Sequence, residues 1–296
     1  MNKKALLVVN FHSGTGKSRE ALPGIIEILS DAGTEVSVYS TKNKLSTIQK
    51  VRNSASSYDS IIAVGGDGTL SETVNGVMLA GSDVAVGYVP VGSTNDTARS
   101  LGLPTDHIAA ARIIAKGTTK KYDIGSFNDR YFTYIAATGA FTKTSYATSQ
   151  SLKNSLGHLA YVLEGIKSVG EIEKIRISGI TDAGSFSGEY LFCSVSNSTS
   201  VGGMIHLKST EVKFDDGLFE LCLIAAPHNP AELVALLGDL VQQKFENRLI
   251  SIRHIRSATI TLPRASGWTL DGEDGGEQST VNFSVCEGAL NLLTEC

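Results

Sequence analysis

The chain has 296 residues, of which 42% are hydrophobic and 19% are charged, as is typical of a globular protein with one large or two ordinary domains. Its formal net charge of −4 argues against a general nucleic-acid binder, and no apolar run approaches the roughly 20 residues that a membrane-spanning helix needs. The four cysteines are far apart and form no CxxC pair, so neither a zinc site nor a disulfide framework is indicated. We therefore expect a cytoplasmic protein.

The first 120 residues alternate between strand and helix patterns. Runs rich in β-branched residues predict strands at 5–10, 35–40, 61–64 and 84–89. Apolar residues at helical spacing predict helices at 20–32, 45–55, 70–79, 94–101 and 107–115. Strands separated by helices of this length predict a parallel sheet with helices on both faces, and ligands of such sheets bind beyond the carboxyl ends of the strands.

The rest of the chain has the pattern of an antiparallel β structure. Strands are predicted at 131–137, 174–178, 185–196, 218–224, 251–255, 258–262, 267–270 and 280–285. Two helices interrupt them, at 156–167 and 230–244. We therefore predict an α/β fold of two domains, an N-terminal α/β domain at 1–125 and a C-terminal β-rich sandwich at 126–296.

The most informative segment is the run IIAVGGDGTL at 61–70. Four apolar residues predict a buried strand, three glycines within four positions follow it, and a helical pattern begins at Thr69. A glycine turn between a strand and a helix N-terminus presents backbone N–H groups and the positive end of the helix dipole to an anion. The segment therefore predicts a phosphate-binding loop.

Two further glycine turns follow predicted strands of the same sheet. The segment NFHSGTGK at 10–17 is not a Walker A motif, because no glycine stands five residues before Gly16, and by itself it is compatible with a flexible loop. The segment VPVGSTND at 89–96 leads into a helix, and helix capping alone would explain it. Because parallel strands end at one edge of the sheet, all three turns are expected there, where a nucleotide could bind.

Two acidic segments occur in the second half. WTLDGEDG at 268–275 has carboxylates at Asp271 and Glu273 on either side of a glycine, which is typical either of a turn or of a general base or metal ligand. KFDDGL at 213–218 places Asp-Gly before a strand, which by itself favours a hairpin turn, although paired carboxylates also suit Mg²⁺ or Ca²⁺.

Taken together, these motifs resemble the soluble bacterial diacylglycerol kinase-like lipid kinases, which share a catalytic region with eukaryotic diacylglycerol, sphingosine and ceramide kinases. The resemblance covers essentially the whole chain, and the order and spacing of the motifs fit throughout. It rests on Asn10 with Ser13 and Gly14, on 65–72, on 92–96 with Ala98 and Arg99, on 215–219 and on 270–273.

The resemblance implies that ATP binds in a cleft between an α/β domain and a β-rich domain. The residues it implies as ATP contacts are Asn10, Phe11, His12, Ser13, Gly14, Thr41, Gly66, Asp67, Gly68, Thr69, Leu70, Ser71, Glu72 and Thr94. Two of the matched segments depart from the family pattern. Phe11 stands where proline is usual, and Ser71 stands where asparagine is common.

The resemblance also implies roles for the acidic residues. Glu273 is similar to the family's general base, Asp271 to the acidic residue beside it, and Asp67 to a residue that organises Mg²⁺ and water. A structural Mg²⁺ site is implied at Lys213, Asp216 and Leu218, to which Lys213 and Leu218 would contribute backbone carbonyls. This replaces the interpretation of 213–218 as a bare hairpin turn.

The predicted function is transfer of the γ-phosphoryl group of ATP to a lipid hydroxyl, with diacylglycerol converted to phosphatidic acid as the leading reaction. Other acceptors are a glycerophospholipid, a polyprenol, a sphingoid base or NAD, and a non-catalytic nucleotide-binding regulator is the alternative outside enzymes. The lipid would be met at the membrane surface by a peripheral protein, with 154–161 on the lipid side. A homodimer is a further expectation from the resemblance.

Overall fold

A computed structural model describes residues 3–93, 95–139, 174–198, 200–201, 205–206, 212–242, 244 and 247–295. The predicted helix at 156–167, the segment 154–161 and Thr94 lie outside the described residues. The chain forms two compact units. The first comprises Met1–Ile124, Arg130–Thr133 and Cys286–Cys296, and the second comprises Gly125–Asp129 and Tyr134–Val285.

The first unit confirms the predicted alternation of strand and helix. Its elements in chain order are β1 (Lys3–Val9), a 3₁₀ turn (Ser13–Gly16), α1 (Lys17–Asp31), β2 (Thr34–Ser40), α2 (Lys44–Ser54), β3 (Ser60–Gly65), α3 (Asp67–Ala80), β4 (Ala85–Pro90), α4 (Asp96–Ser100), α5 (His107–Lys116), the start of β5 (Thr119–Phe127) and β6 (Arg130–Phe132). Adjacent strands pair in parallel in the order β4-β3-β1-β2.

Apolar residues on both faces of β1 and β3 explain why this sheet is buried. One face of the two strands packs in a single apolar core with α1 and α5, through residues such as Leu7, Ile62, Ile25 and Ala111. Strand β3 therefore runs through a packed core and ends at Gly65, where the glycine turn begins.

The last residues of the chain belong to the first unit. The C-terminal end of β15 (Glu273–Leu293) pairs in parallel with β4, with Asn291 opposite Ala85 and Leu292 opposite Val86. The sequence-based division places these residues in the second domain, because a single boundary along the chain cannot represent a terminal strand that pairs with a strand 200 positions earlier.

The second unit is dominated by antiparallel strands. After the end of β5 come β7 (Ile135–Gly139), β8 (Ile175–Thr181), β9 (Gly184–Ser196), β10 (Ser200–Val201), β11 (Ile205–His206), β12 (Phe219–Ala225), α6 (Pro230–Val241), β13 (Ile250–Ile255), β14 (Ser257–Leu270) and the greater part of β15. Most of these strands pair in the order β13-β12-β9-β7-β14-β15.

Two long strands organise this unit. Strand β9 pairs with β8 through its first half and with β7 through its second half, and β14 likewise pairs with β8 and then with β7. The two strands predicted at 258–262 and 267–270 are thus one strand with a register shift between Thr261 and Ser266. An apolar core under α6 includes Leu236, Cys222 and Ile224. The mixed α/β architecture predicted from the sequence is confirmed.

Candidate active site

The turn after β1 is held by the backbone and side chain of Asn10. Its N–H donates to the carbonyl oxygen of Val64 at the end of β3 (3.0 Å), and its carbonyl accepts the hydroxyl of Ser18 (2.7 Å). The side-chain Oδ1 accepts the N–H of His12 (3.0 Å). Gly14 has a φ of +59°, and a Cβ at this position would lie 2.0 Å from the carbonyl oxygen of Val91. Only glycine therefore fits against the strand end at Val91.

The glycine turn after β3 leads directly into α3. Gly66 is the N-cap, and its carbonyl accepts the N–H groups of Thr69 (3.0 Å) and Leu70 (3.2 Å). The side chain of Thr69 folds back over Gly65, where a Cβ would lie 2.3 Å from the Thr69 Oγ1. The first N–H groups of a helix make no bonds within it, and with the helix dipole they favour an anion. Gly68, Ser71 and Glu72 belong to this first turn and a half of α3.

The third turn packs against the second through two glycines. A Cβ at Gly92 would lie 2.5 Å from the Cα of Gly66, so the two backbones are as close as glycine allows. Asn95, with a φ of +51°, closes the turn, because its Oδ1 accepts the Gly92 N–H and its Nδ2 donates to the Gly92 carbonyl, both at 3.0 Å. Three of the predicted loops of the first unit are therefore in mutual contact, as expected from strands that end at one sheet edge.

Thr41, the remaining predicted ATP contact of this unit that the structure describes, follows β2. Its N–H donates to the carbonyl oxygen of Val9 at the end of β1 (2.9 Å). Thr41 thus lies beside the strand end from which the Asn10 turn leaves. Phe11, in the same turn, is half-buried, and the guanidinium carbon of Arg19 lies 5.8 Å from its ring centroid.

Asp67 is the first residue of α3 and links the second and third turns. Its Oδ1 accepts the N–H of Thr97 (3.0 Å) and lies 3.4 Å from the hydroxyl of Tyr88. The same hydroxyl lies 3.4 Å from Asn95 Oδ1. Tyr88 is only 2% exposed, so its hydroxyl is a fixed neighbour of both oxygens. Sequence patterns did not indicate Tyr88 or Thr97; the only available signal was a tyrosine in an otherwise aliphatic strand.

Asp271 and Gly272 form the turn of a two-residue hairpin in the second unit. Leu270 pairs with Glu273, and both turn residues have positive φ, +52° at Asp271 and +79° at Gly272, as type I′ turns require. The Asp271 carboxylate is 3% exposed, and its Oδ1 accepts the N–H of Tyr134 (2.9 Å) and of Ile135 (3.3 Å). Asp271 therefore anchors the hairpin to the first residue of β7 and to the residue that precedes it.

Glu273 is the first residue of β15 and is exposed. The hydrogen bonds of Asp271 fix the hairpin turn against β7, and Glu273, two residues later on the same hairpin, is positioned by them. The arrangement supplies an accessible carboxylate on a rigid turn, which is what a general base needs.

The loop before β12 contains the predicted metal-binding residues. The Asp216 Oδ1 accepts the Leu218 N–H (3.0 Å), and Gly217 between them has a φ of +71°. The Arg256 Nη1 donates to the Gly217 carbonyl oxygen (3.3 Å), while Lys213 is exposed. Within the described ranges, no group of three His, Cys, Asp or Glu side chains is arranged to hold a metal. Backbone carbonyls would therefore have to supply part of any ligand set here.

Glu220 is an acidic residue that the sequence analysis missed. It lies in the apolar strand β12 and is 2% exposed. Burial, together with the smaller effect of the negative charge of Asp216, raises the pKa of Glu220 to about 8, although hydrogen bonds from backbone N–H groups act in the opposite direction. A single acidic residue within FELCLIA was the available signal, because charged residues are almost never fully buried unless they are paired.

Comparison with known proteins identifies the family. The model of the diacylglycerol kinase catalytic domain matches residues 4–127. A diacylglycerol kinase of Staphylococcus epidermidis is 33% identical over 297 aligned positions, which cover 99% of this chain and 93% of that protein. One from Staphylococcus aureus strain MRSA252 is 36% identical with the same coverage. The chain belongs to the diacylglycerol kinase family. The resemblance drawn from the motifs is therefore confirmed.

Solved structures support the fold independently. Two structures from Bacillus anthracis strain Sterne that carry the diacylglycerol kinase name match with TM-scores of 0.82 and 0.76, each at 23% identity. They cover 99% of this chain and 98% and 97% of their own chains. At this identity the likeness shows the fold alone. In the part of the chain that the structure describes, no helix is both long and apolar enough to cross a bilayer.

Proposed function

We propose that this diacylglycerol kinase family member transfers the γ-phosphoryl group of ATP to the free hydroxyl of diacylglycerol and so produces phosphatidic acid. The observation that carries the proposal is the contact of three glycine turns at the ends of adjacent parallel strands, in a chain whose relatives are named for this reaction. We assign nucleotide binding to the α/β part, 1–125, and lipid binding to the β-rich part, 126–296.

ATP binding is assigned to the three turns and to Thr41. The backbone N–H groups at the start of α3 are suited to bind phosphate oxygens, and the glycines allow the phosphates to approach the main chain. The close approach of Gly66 to Gly92 supports this assignment, because it makes two loops into one surface. Phosphoryl transfer depends chiefly on alignment and on neutralisation of charge, which such a surface provides.

The residues present fit a requirement for Mg²⁺ near Asp67. Its carboxylate lies at the helix N-terminus assigned to phosphate, where two negative groups would repel each other without a cation. When bound, Mg²⁺ neutralises phosphate charge and holds the phosphates in register. The contribution of this chain is to hold Asp67 in place through Thr97 and Tyr88.

The loop at 213–218 also fits a hard cation, because its potential ligands are all oxygens: the Asp216 carboxylate and the carbonyls of Lys213 and Leu218. We assign this loop a structural role.

The exposed carboxylate of Glu273 is assigned as the base that accepts the proton of the lipid hydroxyl while the hydroxyl oxygen attacks the γ-phosphorus. Asp271 is assigned as the residue that positions the hairpin.

The lipid is expected to be met at a membrane surface by a peripheral, cytoplasmic enzyme. The formal net charge of −4 gives no general attraction to anionic lipids, so binding would depend on local surface features.

The proposal is tested with radiolabelled ATP, Mg²⁺ and the full chain. Separate detergent micelles present diacylglycerol, a sphingoid base, a polyprenol or a glycerophospholipid, and NAD is supplied in solution. We expect labelled phosphatidic acid as the main product. Labelled NADP, or a preference for another lipid, would show that diacylglycerol is not the main acceptor. Saturable ATP binding without any labelled product would favour a non-catalytic regulator.

A further inference from the structure

The buried carboxyl group of Glu220 lacks a complete set of partners. Among the described residues its Oε2 has no hydrogen-bond partner, and the residue is 2% exposed. The Nε2 of His254, a half-exposed side chain, lies 3.7 Å from Glu220 Oε1, beyond hydrogen-bond distance. A buried carboxylate oxygen with no partner is costly, so something must compensate for it.

The strand register shows where this carboxyl group points. Glu220 lies opposite Ser196 in the antiparallel pair of β12 and β9. The N–H of Ser198 donates to the Glu220 carboxyl group. Ser198 lies two residues past Ser196, just beyond the end of β9, and Leu218 lies two residues before Glu220, just before β12 begins. The Glu220 carboxyl group therefore lies at the end of β12 that the 213–218 loop enters, where the charge of Asp216 acts on it.

A second buried oxygen lies beside it. The hydroxyl of Ser196, directly across from Glu220, has no hydrogen-bond partner within the described ranges and is fully buried. Two facing residues thus each present an oxygen for which the described part of the chain supplies no hydrogen bond. A hard cation prefers such a set of oxygen ligands, whereas an apolar side chain would leave both oxygens unpaired.

We propose that Glu220 is a carboxylate ligand of the cation bound by the 213–218 loop, a ligand that neither the motif nor the resemblance contains. The inference rests on the proposed function, because that loop is assigned to Mg²⁺ there. Together with Asp216, Glu220 gives the site two carboxylates, one from the loop and one from the strand that the loop enters. The cation would then couple the loop to the core of the second unit.

The test is isothermal titration of the full, ATP-free chain with MgCl₂, supported by thermal unfolding with and without Mg²⁺. Glu220→Gln keeps the size of the side chain and removes its charge. We expect it to weaken Mg²⁺ binding by about 10-fold to 100-fold, as loss of a residue that supports a metal site does, and to remove most of the rise in unfolding temperature that Mg²⁺ produces. Asp215→Asn, which removes an exposed charge from the same loop, is the matched control and should bind Mg²⁺ within about threefold of the original chain, since exposed charges are screened.

The outcomes separate the inference from the proposal beneath it. Unchanged Mg²⁺ affinity in Glu220→Gln, with loss of affinity in Asp216→Asn, would overturn the role of Glu220 and leave the loop site intact. If the original chain binds no Mg²⁺ in the absence of ATP, both the loop site and the role of Glu220 are wrong, while the kinase assay stands unaffected. Glu220→Asp, which keeps the charge but shortens the side chain, provides a second variant if the Gln variant does not fold, and affinity equal to the original chain would also contradict direct ligation.

Discussion

The glycine turns of the first unit and the acidic loops of the second reach their shapes by different means. In the first unit the site is built from the main chain, and its glycines are needed because backbones approach to distances at which a Cβ would collide, as Gly92 does with Gly66. In the second unit the candidate site is built from carboxylates, of which Asp271 is held by the N–H groups of Tyr134 and Ile135, far away in the sequence. A site built from the backbone should tolerate substitution of its side chains but not of its glycines. A site built from carboxylates should instead be sensitive to substitution of those side chains.

The largest effect is expected at Glu273. Glu273→Gln removes the proposed base but keeps the shape of the hairpin, so kcat should fall by about 10²-fold to 10⁴-fold while ATP affinity stays unchanged. Turnover with diacylglycerol micelles and ATP binding by calorimetry measure the two quantities. Glu277→Gln, also exposed on β15, is the control and should keep full activity. Equal rates in the two variants would remove Glu273 from the mechanism.

Asp271→Ala should act through stability as well as rate. It leaves two N–H groups near β7 without their acceptor, and each unsatisfied buried group costs about 1–3 kcal/mol. We expect a loss of about 2–6 kcal/mol in the free energy of unfolding, measured by urea denaturation, together with reduced kcat. Asp274→Ala, which removes an exposed acceptor of the Gly276 N–H, should change stability much less. Similar losses in both variants would contradict the anchoring role of Asp271.

Gly14→Ala tests the backbone site. The substitution combines a left-handed φ with a Cβ 2.0 Å from the Val91 carbonyl oxygen, so the turn after β1 must move, at a cost of about 1–3 kcal/mol. We expect ATP affinity to fall by about 10-fold, since 1.4 kcal/mol corresponds to that factor. Gly16→Ala separates strain from collision, because Gly16 also has a positive φ (+93°) but no atom of the described residues lies within 4 Å of a Cβ there. Equal ATP affinity in the two variants would show that the contact with Val91 does not matter.

Tyr88→Phe should have the smallest effect. It removes the hydroxyl 3.4 Å from Asp67 Oδ1 but leaves the Thr97 N–H bond, so a loss of about 1 kcal/mol in the free energy of unfolding is expected. The control is Tyr122→Phe, which removes a buried hydroxyl that donates to the Thr133 carbonyl and should lower stability by a similar amount. Only Tyr88→Phe should also lower kcat several-fold and raise the Mg²⁺ concentration for half-maximal activity. An unchanged Mg²⁺ dependence would show that Tyr88 does not position Asp67.

Much of the first unit could be predicted from local sequence. The strand 61–64, the glycines after it and the helix from Asp67 are contiguous, and their pattern reflects burial and backbone geometry over a few residues. The predicted helix beginning at Thr94 begins instead at Asp96, because Asn95 adopts a left-handed conformation to close the turn on Gly92. That deviation depends on side-chain hydrogen bonds, which hydrophobic periodicity does not detect.

The second unit was less predictable because its contacts are distant in sequence. The strand predicted over 131–137 is divided into β6 and β7, and Tyr134, one of the two residues between them, donates its N–H to Asp271, 137 positions away. Glu220 was overlooked because its significance depends on Ser196 at the end of the neighbouring strand and on Ser198 just beyond it. Alternating hydrophobicity predicts that a strand exists but does not identify its partner.

The sequence by itself determined the alternation of elements, the glycine turns after the strands and the family, because each depends on residues close together or on motifs in a set order. Only the tertiary structure decided that Gly66 and Gly92 touch, that Asp271 is an anchor as well as an acidic residue, and that the chain ends in the first unit. The physical reason is that backbone preferences act locally, whereas close packing and the satisfaction of buried polar groups are settled between segments that the chain brings together only when it folds.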